Sequence, residues 1–278
     1  MNMDIRFANS SKETKSMLTD ELRENFLVNE LMKNDKISLT YSHYDRVIIG
    51  GVKPVSKKVL LPNDPELRAD YFLERRELGI INVGGKGTVT ADGKNYELNK
   101  FDCCYLGKGV KKVSFSSSAK KSPALFYLLS APAHHSYPNA VCTKEKAIPV
   151  QLGGTETSNK RTVFKYIHLE GIKSCQLVMG LTVLENGSVW NSVPPHTHTR
   201  RMEVYFYFDV SEEHRIFHFM GKPQATQHLV VANNEAVISP PWSTHFGCGT
   251  SNYGFIWGMA GENLVYTDMD PAPIVNLK

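Results

Sequence analysis

The hydrophobic positions of this chain follow a helical period once, near the start, and a strand-like rhythm from there to the end. Leu22, Phe26, Leu27 and Leu31 recur at helical spacing, Thr19 is placed to cap the segment, and Asp20 and Glu21 suit its first turn. This predicts one short amphipathic helix, whose role is packing. Beyond it, short apolar runs are broken by Gly, Pro, Asn and Asp. They predict strands at residues 38–44, 46–50, 58–61, 79–83, 87–90, 94–98, 113–117 and 125–129. Ala91-Asp92-Gly93-Lys94 reads as a hairpin turn, with Gly93 supplying a positive φ. Residues 131–159 read as a linker. Strands resume at 161–168, 176–184, 203–209, 215–220, 228–231, 236–239 and 255–260.

Many short strands at steady spacing predict an all-β fold of two barrels with a short N-terminal helix. The halves echo each other in rhythm rather than identity, as a duplicated small barrel would. Residues 1–145 form the first expected domain, with the helix, and 146–278 the second.

Composition narrows the class. With 278 residues, 41% of them hydrophobic, the chain can bury a core without disulfides. A net charge of +4 with no basic block argues against a nucleic-acid surface and suits a small acidic substrate. The five cysteines are odd in number, lack metal-type spacing and include the adjacent pair Cys103-Cys104, which reads as reduced thiols in a cytoplasmic protein. No secretory signal and no apolar run long enough to span a bilayer can be read, so no membrane partner is expected.

The chemistry concentrates in Pro194-Pro195-His196-Thr197-His198-Thr199-Arg200-Arg201-Met202-Glu203. On an extended segment His196 and His198 point to one face and can present two imidazoles to one ion. Glu203 then opens the next strand with a carboxylate, and His245 follows the turn at Pro240-Pro241-Trp242. Each piece alone has a plainer reading, as a surface histidine or a charged strand start. Together they make a three-nitrogen, one-oxygen set suited to Zn, Fe, Mn, Co or Ni, in the spacing of a cupin metal site. The expected fold is therefore a bicupin, two cupin-type β-barrels. Of the remaining histidines, His168 and His218 are the ones to check for proximity to the ion. The first half carries Glu74-Arg75-Arg76-Glu77 and Lys111-Lys112 where ligands would fall, so its barrel is expected to be metal-free.

Longer phrases carry a closer resemblance. Tyr-Ser-His-Tyr-Asp-Arg (41–46), Tyr-Phe-Leu-Glu-Arg-Arg-Glu-Leu-Gly (71–79) and His-Thr-His-Thr-Arg-Arg-Met-Glu-Val-Tyr-Phe-Tyr-Phe (196–208) resemble the 5-keto-4-deoxyuronate isomerase family. So do Trp242-Ser243 with His245, Phe255-Ile256-Trp257-Gly258-Met259, and Asp268-Met269-Asp270. The resemblance spans essentially the whole chain. It implies a ketol-isomerase interconverting 5-dehydro-4-deoxy-D-glucuronate and 3-deoxy-D-glycero-2,5-hexodiulosonate in pectin and uronate catabolism. It also implies one Zn(2+) per subunit on His196, His198, Glu203 and His245, and a homohexamer. Arg161, Lys165, Arg200 and Arg201 are candidates to hold the substrate carboxylate, and Glu262, Tyr205 and Tyr207 are candidates for proton transfer. The alternatives from other classes are an Fe(II)-dependent cupin dioxygenase and a non-catalytic, metal-stabilised sugar-binding cupin.

Overall fold

The computed structural model describes residues 3–278 as two β-sandwiches stacked back to back. In the first, a seven-stranded sheet runs in the order Asp4–Arg6, Ile37–Ser42, Ile48–Val52, Phe126–Pro132, Arg76–Asn82, Cys103–Leu106, Ala140–Cys142. It faces a four-stranded sheet ordered Val59–Leu60, Val113–Ser117, Gly87–Ala91, Lys94–Leu98. The second sandwich repeats the plan. Its larger sheet runs Val150–Leu152, Arg161–Ile167, Val178–Leu184, Gly254–Gly261, Arg201–Phe208, Ala236–Ser239, Leu27–Val28. Its smaller sheet runs Trp190–Asn191, Phe246–Gly249, Ile216–Lys222, Ala225–Val231. The all-β class and the duplication are both as the rhythm predicts.

The duplication extends to register. Leu78 lies opposite Leu106 and Ser130, and Glu203 lies opposite Ser239 and Met259, on equivalent strands. Leu78 therefore stands in the first sandwich where Glu203 stands in the second. Around it Ile80, Val89, Phe115, Phe126 and Leu128 fill the first interior with apolar side chains.

Two local expectations change. The helix spans Thr19–Phe26 and its N-cap is Leu18, not Thr19; the Glu21 carboxylate caps it by accepting the Leu18 N–H at 2.9 Å. Leu27 does not continue the helix but begins a strand with Val28, paired with Val237 and Ala236. Tertiary pairing overrides the local period there, and it carries the N-terminal segment onto the second sandwich. The expected linker also holds two short strands: Ala140–Cys142 pairs with Cys103–Leu106, and Val150–Leu152 with Arg161–Ile167. The strand Cys103–Leu106, fully buried on both faces, lacks the alternation that marks a strand in sequence.

The two large sheets pack through their outer faces. Tyr127 stacks on Phe206 at 4.7 Å between ring centroids. Glycines allow this approach, because a Cβ on Gly79 would fall 2.2 Å from Met179 Sδ and one on Gly258 2.4 Å from Leu129 Cδ2. One buried carboxylate crosses the seam. Glu77 Oε1 accepts the N–H groups of Gln176 (2.8 Å) and Leu177 (3.0 Å), and Oε2 those of Cys175 (2.7 Å) and the Tyr105 hydroxyl (2.7 Å). All five cysteines are free. No helix among the described residues is long and apolar enough to cross a membrane.

Candidate metal centre

The site is built at one end of the second sandwich. Pro195 precedes a two-residue strand, His196–Thr197, which pairs with Asp270–Pro271 near the C-terminus. The next turn is tied down by its own polar residues. Thr199 bonds to Asp270 through both N–H and hydroxyl, and the Arg200 guanidinium forks onto Asp268 and Asp270. The chain then enters Arg201–Phe208, where alternation turns Glu203, Tyr205 and Tyr207 inward and Val204, Phe206 and Phe208 toward the other sandwich. His245 arrives from the turn before Phe246–Gly249, fixed by the Thr244 N–H on the Gly221 carbonyl and the Gly221 N–H on Ser243 Oγ.

These elements bring His196, His198, Glu203 and His245 together, one nitrogen or oxygen from each lying within 4.8 Å of all the others. Nε2 of His196 is 3.2 Å from Nε2 of His198 and 3.1 Å from that of His245. Glu203 Oε2 lies 2.9 Å from His198 Nε2 and 2.8 Å from His245 Nε2. His198, Glu203 and His245 are 2%, 4% and 1% exposed, and His196 is half-buried.

Backbone acceptors decide the tautomers. His198 Nδ1 faces the Asp268 carbonyl at 2.6 Å and His245 Nδ1 the Ser243 carbonyl at 3.3 Å, so each donates from Nδ1 and leaves an Nε2 lone pair. Burial, and then the neighbouring His245, depress the His196 imidazole to about 3, keeping it neutral. Burial raises the Glu203 carboxyl, and protons on His245 and His198 facing Oε2 outweigh it and lower it well below the usual range, but the backbone acceptors hold those protons on Nδ1 and leave the carboxylate in need of another cation. Lone pairs and an anion thus converge in a buried space, which is unfavourable unless a cation lies between them. Pinned imidazoles of this kind orient ligands for a divalent ion, and three nitrogens with one oxygen fit Zn and its first-row neighbours.

The other singled-out residues divide by geometry. Arg200 is engaged with the two aspartates. Arg201 is fully buried and donates to the carbonyls of Val265 (2.6 Å), Tyr266 (3.3 Å) and Asp268 (3.2 Å), holding the segment whose Asp268 carbonyl orients His198. Lys165, Gly180, Trp257 and Tyr205 lie directly opposite one another across successive strands and so share the inner face. The Lys165 ammonium sits 4.5 Å from the centre of the Tyr266 ring, which packs on Trp257 at 5.3 Å. Arg161 lies on the same strand, half-buried, with one donor on the Asn159 carbonyl, and burial lowers its guanidinium pKa.

Tyr205 is buried edge-on to His245 at 5.4 Å and its hydroxyl meets Ser192 Oγ at 2.6 Å. Burial, then the Glu203 charge, push that phenol far up, so it is a protonated donor. The Tyr207 hydroxyl bonds His218 Nδ1 at 2.8 Å. Glu262 is exposed, with its N–H on the Arg200 carbonyl. His168 accepts the Glu170 N–H in a turn outside the cluster. The sequence reading missed Tyr266 and the Asp268 carbonyl, since neither a lone loop tyrosine nor a backbone oxygen leaves a pattern to read.

Two stacked sandwiches, one carrying His-x-His, a glutamate and a distant histidine around a common point, define a metal-site bicupin. Solved structures agree on the fold: an IolB-like protein of Salmonella typhimurium LT2 aligns with TM-score 0.63 at 15% identity, over 79% of this chain and 85% of that one. Vicilin from tomato aligns with TM-score 0.56 at 10% identity, over 79% and 76%. The chain belongs to the KduI/IolB family, whose model matches residues 26–274. It is 52% identical to the 4-deoxy-L-threo-5-hexosulose-uronate ketol-isomerase of Shouchella clausii, over 99% of this chain and all of that protein. It is 54% identical to the protein of the same name from Formosa agariphila, over 99% and 98%.

Proposed function

We propose that this protein is a metal-dependent ketol-isomerase interconverting 5-dehydro-4-deoxy-D-glucuronate and 3-deoxy-D-glycero-2,5-hexodiulosonate in the breakdown of pectin and other uronates. The observation that carries this reading is the buried convergence of three imidazole lone pairs with Glu203, beside two cations on one inner face. Full-length relatives bearing the ketol-isomerase name support the substrate. His196, His198, Glu203 and His245 hold one zinc ion per subunit. When bound, a divalent ion would supply Lewis acidity to the reacting end of the sugar.

The side chains do the rest. Arg161 and Lys165 take the substrate carboxylate, with a planar guanidinium matching its two oxygens. Arg200 and Arg201 act one layer out, by holding the Asp268 carbonyl on His198. Tyr205, kept protonated, exchanges Ser192 for a substrate oxygen and donates to it. Trp257 and Tyr266 wall the space against water. Residues 1–145 and 146–278 serve as two domains, with Leu27–Val28 lent to the second domain's sheet, and the first is metal-free because Leu78 occupies the place of Glu203. The chain works in the cytoplasm, consistent with its free cysteines. It assembles as a homohexamer, for which the exposed apolar edge at Ile148, Val150 and Leu152 offers a contact surface.

The test is anaerobic turnover of 5-dehydro-4-deoxyglucuronate followed by NMR, with native, chelated and His245→Ala protein. Conversion without oxygen that disappears with the metal and with His245 supports the isomerase. A requirement for oxygen and Fe(II) would move the reading to a dioxygenase, and metal-independent binding without product to a sugar-binding cupin.

A further inference from the structure

Across the interior from the ligand-bearing sheet, Ile216–Lys222 of the smaller sheet sends His218 inward. Its imidazole is fully buried, Nδ1 lies 2.8 Å from the Tyr207 hydroxyl, and Nε2 is buried with no partner among the described residues. Neighbouring hydrogen bonds decide which nitrogen carries the proton. The Tyr253 hydroxyl donates to the Val189 carbonyl at 3.1 Å, so it accepts from Asn191 Nδ2 at 2.7 Å. This turns the Asn191 NH2 toward the tyrosines. Gly247, paired with His218, leaves room for the meeting, because a Cβ there would sit 3.0 Å from both Asn191 Nδ2 and the Tyr207 hydroxyl. His218 Nδ1 is the one hydrogen-bond partner of the Tyr207 hydroxyl among the described residues, so Tyr207 directs its proton there rather than leave a buried O–H without an acceptor. The imidazole is then the neutral Nε2–H tautomer, a donor with nothing to donate to.

A buried N–H without an acceptor loses its water and gains nothing in return, and native interiors rarely keep one without a use for it. This one stands next to the metal-site residues. The His218 ring is 5.6 Å from the Tyr205 ring, which is 5.4 Å from His245. Ser239 Oγ, on the strand paired directly with Glu203, is a second buried polar atom without a partner.

We propose that His218 contacts the substrate, donating its Nε2–H to an oxygen at the reacting end of the sugar. The inference rests on the isomerase reading and deepens it. Ketol isomerisation builds negative charge on the two oxygens that exchange roles, and a fixed neutral donor aimed at that charge acts more strongly in the transition state than in the ground state. Triosephosphate isomerase uses a neutral histidine as an electrophile in the same class of reaction. His218 keeps its proton throughout, and only the hydrogen bond strengthens.

The experiment compares native holoenzyme with His218→Phe and His218→Gln for kcat, KM and bound metal. Loss of the donor in His218→Phe lowers kcat roughly a hundredfold at native metal content. His218→Gln, which restores an N–H in nearly the same place, recovers about a tenth of native kcat. A kcat for His218→Phe within about threefold of native, or loss of the metal from both variants, would overturn the inference. A 15N spectrum of the native holoprotein tests it independently of turnover. Protonation of His218 at Nε2, with a ring N–H resonance that moves on adding 5-dehydro-4-deoxyglucuronate, supports the donor; protonation at Nδ1 or an unmoved resonance removes it. A native protein that moves this resonance but forms no product keeps the donor and loses the isomerase reading.

Discussion

Replacing Glu77 tests how the two sandwiches are joined and how far the join supports the site. Its fully buried carboxylate accepts four hydrogen bonds: three from consecutive backbone N–H groups at Cys175, Gln176 and Leu177 and one from the Tyr105 hydroxyl. In Glu77→Ala all four donors lose their acceptor. Each orphaned buried donor costs about 1–3 kcal/mol, and water entering the vacated space offsets part of it. A net loss of about 4 kcal/mol is expected, against about 2 kcal/mol for Glu77→Gln, which keeps one oxygen and the shape. At roughly 2–4 °C per kcal/mol for a chain of this size, the melting temperature of Glu77→Ala falls by roughly 8–16 °C. Differential scanning calorimetry reads the shift, and amide hydrogen exchange at residues 175–177 reads its location. These residues lead into Val178–Leu184, which lines the inner face opposite Trp257, so kcat falls with them. A melting point within about 2 °C of native, with protection at 175–177 unchanged, would refute the reasoning.

Three further outcomes follow from the same geometry. Tyr127 buries a hydroxyl with no partner, so Tyr127→Phe keeps the stacking on Phe206 and raises stability by up to about 1 kcal/mol, measured by urea unfolding. Arg201→Lys puts one ammonium where a guanidinium spans three carbonyls; the C-terminal segment loosens, His198 loses its fixed acceptor, and metal affinity in chelator competition drops roughly 10–100-fold. Burial depresses His218 from 6.5 to about 3. The unfolded chain therefore takes up a proton near pH 6.5 that the native state refuses, and stability is lost as pH falls below that value, by at most about 1.4 kcal/mol per pH unit. In metal-free protein His218→Gln flattens this part of the pH dependence of the urea midpoint; an unchanged slope would contradict a buried neutral imidazole.

What the sequence determined by itself was what local chemistry writes down. Alternation and turn residues marked most strands, and the spans at Lys94–Leu98, Val113–Ser117 and Ala236–Ser239 match residue for residue. His-x-His on an extended segment, with Glu203 and His245, named the four residues that the fold brings to one point. Gly79 and Gly258 stood in the sequence without a stated purpose, because the partner that forbids a side chain at each is a residue of the other sandwich, far along the chain. Cys103–Leu106, buried on both faces, had no polar partner in the period to reveal it. Leu27 continued a helical stripe in sequence, yet pairing with Val237 gave its backbone a better set of hydrogen bonds. The same division holds inside the site. The ligands are side-chain types and could be read, whereas the Asp268 carbonyl that orients His198, the commitment of Arg201 to loop carbonyls and the placement of Lys165 beside Trp257 are positions. Tertiary structure alone decided them, because backbone acceptors are the same at every residue and only folding selects which one a buried donor meets.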